Sequence, residues 1–527
     1  MRIPRLVVAA PRSGGGKTTV ATGLMAALRS AGLEVSGHKV GPDYIDPGYH
    51  AVATGRPGRN LDPRLQGEDL LRPLFLHGAR SPRPADVAVV EGVMGLFDGA
   101  LGQGGYASTA HIARVLDAPV LLVVDAASAG RSVAATVLGC LHYEKGLRIG
   151  GVVLNRVGSQ RHADEAVRAV EELGVGVLGV LRRDRGALVP SRHLGLVPAL
   201  EREGAAAGTV ERQAALVAAG VDLPAVLSLA RSAPDLPGSP WDPAERLGEH
   251  PGGPGGNGDP SPGSAPVIAV AAGPVFTFRY AETTELLRAA GGDVVEFDPL
   301  TAPGLPEGTA ALYLGGGFPQ MHAEALADNL PLRRAVADRV AGRMPVVAEC
   351  AGLLYLCREL DGHPMAGVLP ATARMTDRLA LGYRTATAPG HNLLVGQRDR
   401  GTSFTGHEFH RTAVLADGSG GAGGSGAVRG TDGSGAARGV DGSGGPGDTD
   451  RAGGTGPARG GRSPARRDTT AWRLRDGTGT VRSDGFAGPR LHASYLHLHW
   501  AAAPRLAERL VERAREHVHR PADRSGT

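Results

Sequence analysis

Cysteine is scarce in this chain: Cys140, Cys350 and Cys357 are the only three in 527 residues. So few thiols exclude a disulfide framework and suit a reducing compartment, so a cytoplasmic location is expected. Aromatic residues make up 4% of the chain, which leaves the cores to Val, Leu and Ala. An excess of one charge is missing too: 57 Lys and Arg face 53 Asp and Glu, for a net +4. The arginines are not gathered into a basic helix or a stripe interleaved with aromatics, so no nucleic-acid partner is expected. Long hydrophobic runs are absent. Stretches such as Ala118–Val124 stop far short of the ~20 residues a membrane span needs. The N-terminus runs straight into a strand pattern, without the apolar region of a secretory leader.

The length calls for two or three domains. An apolar run, Leu6 to Ala10, leads into Pro11-Arg12-Ser13-Gly14-Gly15-Gly16-Lys17-Thr18-Thr19, and a helix pattern follows to Ser30. A glycine-rich loop between strand and helix lets backbone N–H groups converge on one anion. In that setting Lys17 neutralises the outer phosphates, and Thr18 offers a hydroxyl to Mg2+. Pro11 stands where the usual pattern has its first glycine.

Further apolar runs alternate with helix patterns through residue 200, which predicts a parallel sheet covered on both faces. Residues 201–265 read as a weakly structured segment ending in a Gly/Pro-rich linker. Strand and helix patterns resume over 266–502, a second α/β domain. It is interrupted at 417–466 by a Gly/Ser/Arg/Asp tract with too few large apolar residues to build a core. Residues 503–527 form an amphipathic C-terminal helix and tail.

Acidic residues cluster near the loop in sequence. Glu91 ends an apolar strand, at the carboxyl edge where such sheets bind ligands. Asp98 follows in Met94-Gly95-Leu96-Phe97-Asp98, and Asp43 and Asp46 share Gly41-Pro42-Asp43-Tyr44-Ile45-Asp46. A lone acid in a turn ordinarily caps that turn. Beside a phosphate loop, Asp43, Asp46, Glu91 and Asp98 read as metal or substrate groups, with Glu91 placed to hold Mg2+ directly or through water. Asn155, closing a later strand, is placed to read a nucleotide base or to serve a turn.

In the second domain, Ala348-Glu349-Cys350-Ala351-Gly352 joins strand to helix. Small residues around a nucleophile at a sharp strand–helix turn expose it above the sheet. The helix start is expected to lower the thiol pKa. Gly315-Gly316-Gly317, after another strand, offer amides for an oxyanion hole or make an ordinary turn. A cysteine nucleophile needs a base, and His407, His410, His492, His497 and His499 are the candidates.

Together these strings resemble the cobyrinic (or hydrogenobyrinic) acid a,c-diamide synthase family. They are PRSGGGKTT, HKVGPDYIDPGYH, NLDP, VEGVMGLFDG, PSRHLGL, YLGGGFPQMHAEALADN, AECAGLLYL, GHEFH and SYLHLHW. The resemblance implies a P-loop ATPase domain like dethiobiotin synthetase and the partition ATPases, then a class I glutamine amidotransferase-like domain. It implies ATP, L-glutamine and a corrinoid polycarboxylate as substrates, with Mg2+. Cys350 is then the glutaminase nucleophile and His497 its base. Gly14, Gly15, Gly16, Lys17, Thr18 and Thr19 cradle the nucleotide, Glu91 and Asp98 join Thr18 as metal or phosphate-side groups, and Asp43 and Asp46 border the corrinoid. His499 stands where most class I amidotransferases have a Glu, so no full triad is visible. Ala351 and Thr283 replace a usual Gly and Asn. Two alternatives share parts of the pattern: cobyric acid synthase, and a partition-type regulatory ATPase with an inactive amidotransferase fold. A homodimer is compatible with the sequence, which does not set the oligomeric state.

Overall fold

The computed structural model describes residues 1–184, 191–192, 195–196, 199, 203–248, 265–399, 401–417 and 469–519. The linker expected up to 265, nearly all of the 417–466 tract, the tail from 520 and part of the PSRHLGL string lie outside the described residues.

Strands rich in Val, Leu and Ala can be buried on both faces, and the first domain is built on them. Its seven strands lie in the order Arg59–Leu61, Val35–Val40, Val87–Glu91, Arg5–Ala9, Val120–Asp125, Ile149–Val157, Val177–Arg182. Every neighbouring pair is parallel. The chain winds first to one side of Arg5–Ala9 and then to the other. That reversal opens a crevice at the carboxyl ends, and the glycine-rich loop sits there.

Residues 203–248 are not weakly structured, contrary to the expectation from sequence. Helix Glu203–Gly220 packs along Lys17–Ser30. The approach is so close that a Cβ on Gly23 would lie 2.5 Å from the Gln213 carbonyl oxygen. Helix Leu223–Arg231 follows, capped by Asp222 on the Ala225 amide at 2.9 Å. Trp241 and Leu247 are buried beyond it. The Ala-rich run EGAAAGTVERQAALVAAG carries few large apolar residues, so its period is faint in sequence while small residues allow tight packing.

The second domain has five parallel strands, ordered Asp293–Phe297, Val267–Ala271, Thr309–Leu314, Val346–Glu349, Leu491–Ser494, with Phe486–Ala487 antiparallel at the edge. Helix Arg505–Val518 buries Leu506, Leu510, Val511 and Ala514 against the domain. A second sheet, absent from the sequence expectation, is organised by a long hairpin of Ala371–Thr387 and Ser403–Ala416. It pairs with His497–Leu498, setting His407 opposite His497.

Polar side chains tie the domains together. Arg59 meets Glu282 and Glu285, each at 2.6 Å. Tyr383 donates to Asp62 at 2.7 Å. Gln66 lies 2.9 Å from His499, and the Tyr44 and Tyr280 hydroxyls are 3.0 Å apart. All three cysteines are buried and unpaired. Among the described residues no helix is long and apolar enough to cross a membrane.

Candidate active sites

The glycine-rich loop turns through left-handed residues Gly14 (φ 73°) and Gly16 (φ 94°). At Gly16 glycine is also demanded by space, since a Cβ there would lie 2.1 Å from Asn155 Nδ2. Asn155 donates to the Gly15 carbonyl at 3.1 Å, so it braces the loop. With Thr19 it also lines a cavity of about 240 Å³ that includes Arg156, Arg182 and Asp184. Helix Lys17–Ser30 has no side-chain cap and no acid in its first turn. Its leading amides are therefore open to an anion. Lys17 Nζ rests on the Arg12 and Met94 carbonyls. Burial, then the Lys39 ammonium, pushes its pKa down to about 8.

Five side chains meet beneath the loop. Thr18 donates to Glu91, while the Lys39 ammonium sits 2.9 Å from Glu91 and 2.5 Å from Asp46. His50 closes the other Glu91 oxygen at 2.7 Å. Burial opposes ionisation of Glu91, but Lys39, His50 and Thr18 hold it well below the usual carboxylate range. Asp46 is displaced upward, by burial and then by Asp43 and Glu91. Its Oδ1 is buried and, among the described residues, has no hydrogen-bond partner.

Two sequence assignments change here. Asp46, expected at the substrate, lies within 3.4 Å of the Thr18 hydroxyl in this cluster. Asp98, expected at the metal, caps its own turn by accepting from the Gly95 amide at 2.8 Å. Asp43 also caps, accepting from the Ile45 and Asp46 amides at 2.7 and 2.9 Å. Lys39 and His50 were missed: the strings HKV and PGYH carry them, but nothing local shows that they meet at Glu91.

Cys350 terminates Val346–Glu349 with φ 47° and ψ −95°, a strained turn for a non-glycine residue. Its amide donates to the Ser494 carbonyl at 2.8 Å, and Gly352 packs so closely on Leu314 that a Cβ would clash at 2.5 Å. The expected lowering of the thiol pKa is not what the structure gives. Burial pushes Cys350 up to about 12, against smaller opposing effects from the Gly317 and Ala351 amides. Those two amides face the sulfur. The Gly316 amide does not, because it donates to the Phe278 carbonyl at 3.1 Å. Of the three glycines, Gly317 is thus the one aimed at the thiol.

His497 is buried, and burial pushes it down to about 3. Its Cε1 lies 2.1 Å from where a Gly316 Cβ would be, and among the described residues its Nε2 has no hydrogen-bond partner. The Cys350 thiol instead donates to the Phe409 carbonyl at 3.9 Å. The other histidines are engaged elsewhere. His410 stacks on Tyr495 at 3.7 Å, and His499 faces Gln66 and Glu282. His407 packs edge-on against Tyr383, and His492 against Trp472.

Two cavities flank this centre. One, of about 910 Å³, is polar and includes Arg384, Glu408, His410, Arg482, Asp484 and Tyr495. The Arg384 guanidinium is 2.6 Å from fully buried Glu408. The other, of about 420 Å³, lies between the domains and is largely apolar, with Met94, Leu101, Leu381, Tyr383 and Phe409, plus Asp43 and Arg64. Leu101 and Leu381 are exposed there.

Known proteins match this layout. Residues 6–196 fit the CobQ/CobB/MinD/ParA nucleotide binding domain, and residues 267–439 the CobB/CobQ-like glutamine amidotransferase domain. A hydrogenobyrinate a,c-diamide synthase of Thermobifida fusca is 53% identical, over 97% of this chain and 96% of the relative. One from Streptomyces coelicolor is 51% identical over 97% and 98%. A cobyrinate a,c-diamide synthase of Synechococcus is 38% identical over 96% and 97%. Similarity of this extent spans both domains, and the chain belongs to the a,c-diamide synthase family of glutamine amidotransferases.

Proposed function

We propose that this protein makes the a,c-diamide of hydrogenobyrinate, using glutamine as nitrogen donor and ATP to activate each carboxylate. The observation that carries the reading is one molecule holding a phosphate loop and a cysteine elbow on either side of an interdomain groove. Relatives above 50% identity are named for the cobalt-free substrate, which favours hydrogenobyrinate over cobyrinate.

Glutamine enters the polar cavity, where Arg384 suits its carboxylate and Glu408 its ammonium. His497 takes the Cys350 proton as sulfur attacks the side-chain amide, and the Gly317 and Ala351 amides receive the developing oxyanion. The proton returns to the leaving ammonia, and water releases glutamate from the thioester. In the first domain the loop amides and Lys17 hold the ATP phosphates, while Asn155 and Thr19 border the nucleoside. The donor set of Thr18 hydroxyl, Glu91 carboxylate and unpartnered Asp46 Oδ1 fits Mg2+, a cation of hard oxygen ligands. Among the described residues no three His, Cys, Asp or Glu side chains form a metal site by themselves, so phosphate oxygens would complete it. When bound, Mg2+ supplies charge neutralisation at the transferring phosphoryl group. The corrinoid lies in the apolar groove beside Asp43 and Arg64. Its carboxylate takes the γ-phosphoryl group, and ammonia then displaces phosphate from the acyl phosphate to leave the amide. Free thiols suit a cytoplasmic setting for this chemistry.

The test is product analysis with MgATP and glutamine, offering hydrogenobyrinate and cobyrinate in parallel. Diamide formed from hydrogenobyrinate is the expected result; turnover confined to cobyrinate would reverse the substrate assignment.

A further inference from the structure

In the glutaminase just described, no carboxylate pairs with the base among the described residues. Its Nε2 is unbonded among the described residues, and His499 is turned toward the other domain. What fixes the imidazole is packing. Gly316 leaves no room for even a methyl group. Tyr44, which comes from the synthetase domain, packs on the same ring. The two rings are 4.6 Å apart, and Tyr44 also stacks on Phe278 at 5.0 Å with planes 22° apart. Its hydroxyl meets Tyr280 at 3.0 Å. The residue is 8% exposed.

Tyr44 does not rest there through the glutaminase alone. Asp43 caps the turn immediately before it, and Asp46 two residues later is held by Lys39 in the phosphate-side cluster. The ring is therefore placed from the first domain and pressed onto a histidine of the second. We propose that Tyr44 is a positioning residue of the glutaminase, setting by ring contact the His497 orientation that a carboxylate sets by hydrogen bonding elsewhere. The inference rests on His497 being the base.

The experiment measures glutamate release from glutamine by the full chain over a range of glutamine concentrations. Tyr44→Ala is expected to lower kcat by about 10-fold or more, since small misplacement of a reacting group is that costly, with KM changed by less than about threefold. Tyr44→Phe keeps the ring and is expected within about twofold of the parent. If Tyr44→Ala melts at assay temperature, Tyr44→Leu replaces it, filling the space without a flat face and with the same loss of kcat expected. His497→Asn is the reference. A His497→Asn enzyme with parental kcat overturns the base assignment itself. An inactive His497→Asn alongside an Ala or Leu variant with parental kcat overturns the role of Tyr44, as does a Phe variant as damaged as Ala.

Discussion

Gly316→Ala isolates the geometry of the thiol–imidazole pair. Gly316 does not occupy the left-handed region, so alanine suits its backbone, and its hydrogen bonds with Phe278 survive the change. The new Cβ would fall 2.1 Å from His497 Cε1 and 3.0 Å from both ring nitrogens. Carbon atoms settle at about 3.5 Å or more, so the ring must retreat by about 1.4 Å. Tyr44 packs on the same ring, 4.6 Å away, and restricts where the ring can go. Displacing a catalytic group by this much costs about 100-fold in rate, or ~2.7 kcal/mol of barrier. Glutamate release is therefore expected to fall about 100-fold, while amidation fed by ammonium salt persists because the phosphate loop is untouched. A Gly316→Ala enzyme that hydrolyses glutamine at the parental rate would refute the placement of His497 against this glycine. Gly317→Ala is no substitute, because its φ of 153° sets a Cβ 1.8 Å from the Val275 carbonyl oxygen and the fold itself would be disturbed.

Other perturbations separate the two sites. Cys350→Ala is expected to abolish glutamine use yet retain ammonia-driven diamide formation, whereas Lys17→Ala loses product with either nitrogen source; diamide yield reads both. Glu91→Gln keeps shape but removes the charge at Thr18 and Lys39, so MgATP-dependent amidation should drop by at least about 100-fold with glutamate release preserved. Because the Lys17 pKa is lowered to about 8, its ammonium is lost as pH rises through that value. Nucleotide affinity from calorimetry should accordingly weaken between pH 7 and pH 9, and an unchanged affinity would deny Lys17 its charge on the phosphates. Arg59→Ala leaves buried Glu282 and partly buried Glu285 without their cation, and urea unfolding should register a loss of about 3–5 kcal/mol.

Much of this machinery was legible before any coordinates. The loop at Lys17, the acid at the end of the Glu91 strand and the elbow at Cys350 are local patterns whose chemistry fixes their neighbours. What stayed hidden depends on distant contacts. Asp43, Asp46 and Asp98 look alike as acids in turns, yet two serve as caps and one reaches Lys39 and Thr18. Nothing local distinguishes them, because the partners lie on other strands. Glycines 315 to 317 are likewise equal in sequence, but the Phe278 bridge consumes the Gly316 amide and leaves Gly317 facing the sulfur. The hairpin of Ala371–Thr387 and Ser403–Ala416 was missed because its alternation is broken where the pairing register shifts between Met375 and Ala380.

The thiol expectation failed for a reason that bears on how the two sites work together. A helix start and nearby amides do favour thiolate, and both are present at Cys350. Burial outweighs them, pushing the thiol up to about 12 and His497 down to about 3. Both groups are thus held neutral. Burying a charge is costly unless it is compensated, and here the compensation must arrive with the substrate. The Gly317 and Ala351 amides give little to a neutral thiol but bind strongly to an oxyanion once glutamine is attacked. The same dry setting depends on the first domain, since Tyr44 forms part of the wall around His497. A neutral thiol–imidazole pair, walled in part by Tyr44 of the first domain, thus leaves its charge separation to the moment the substrate supplies a partner for it.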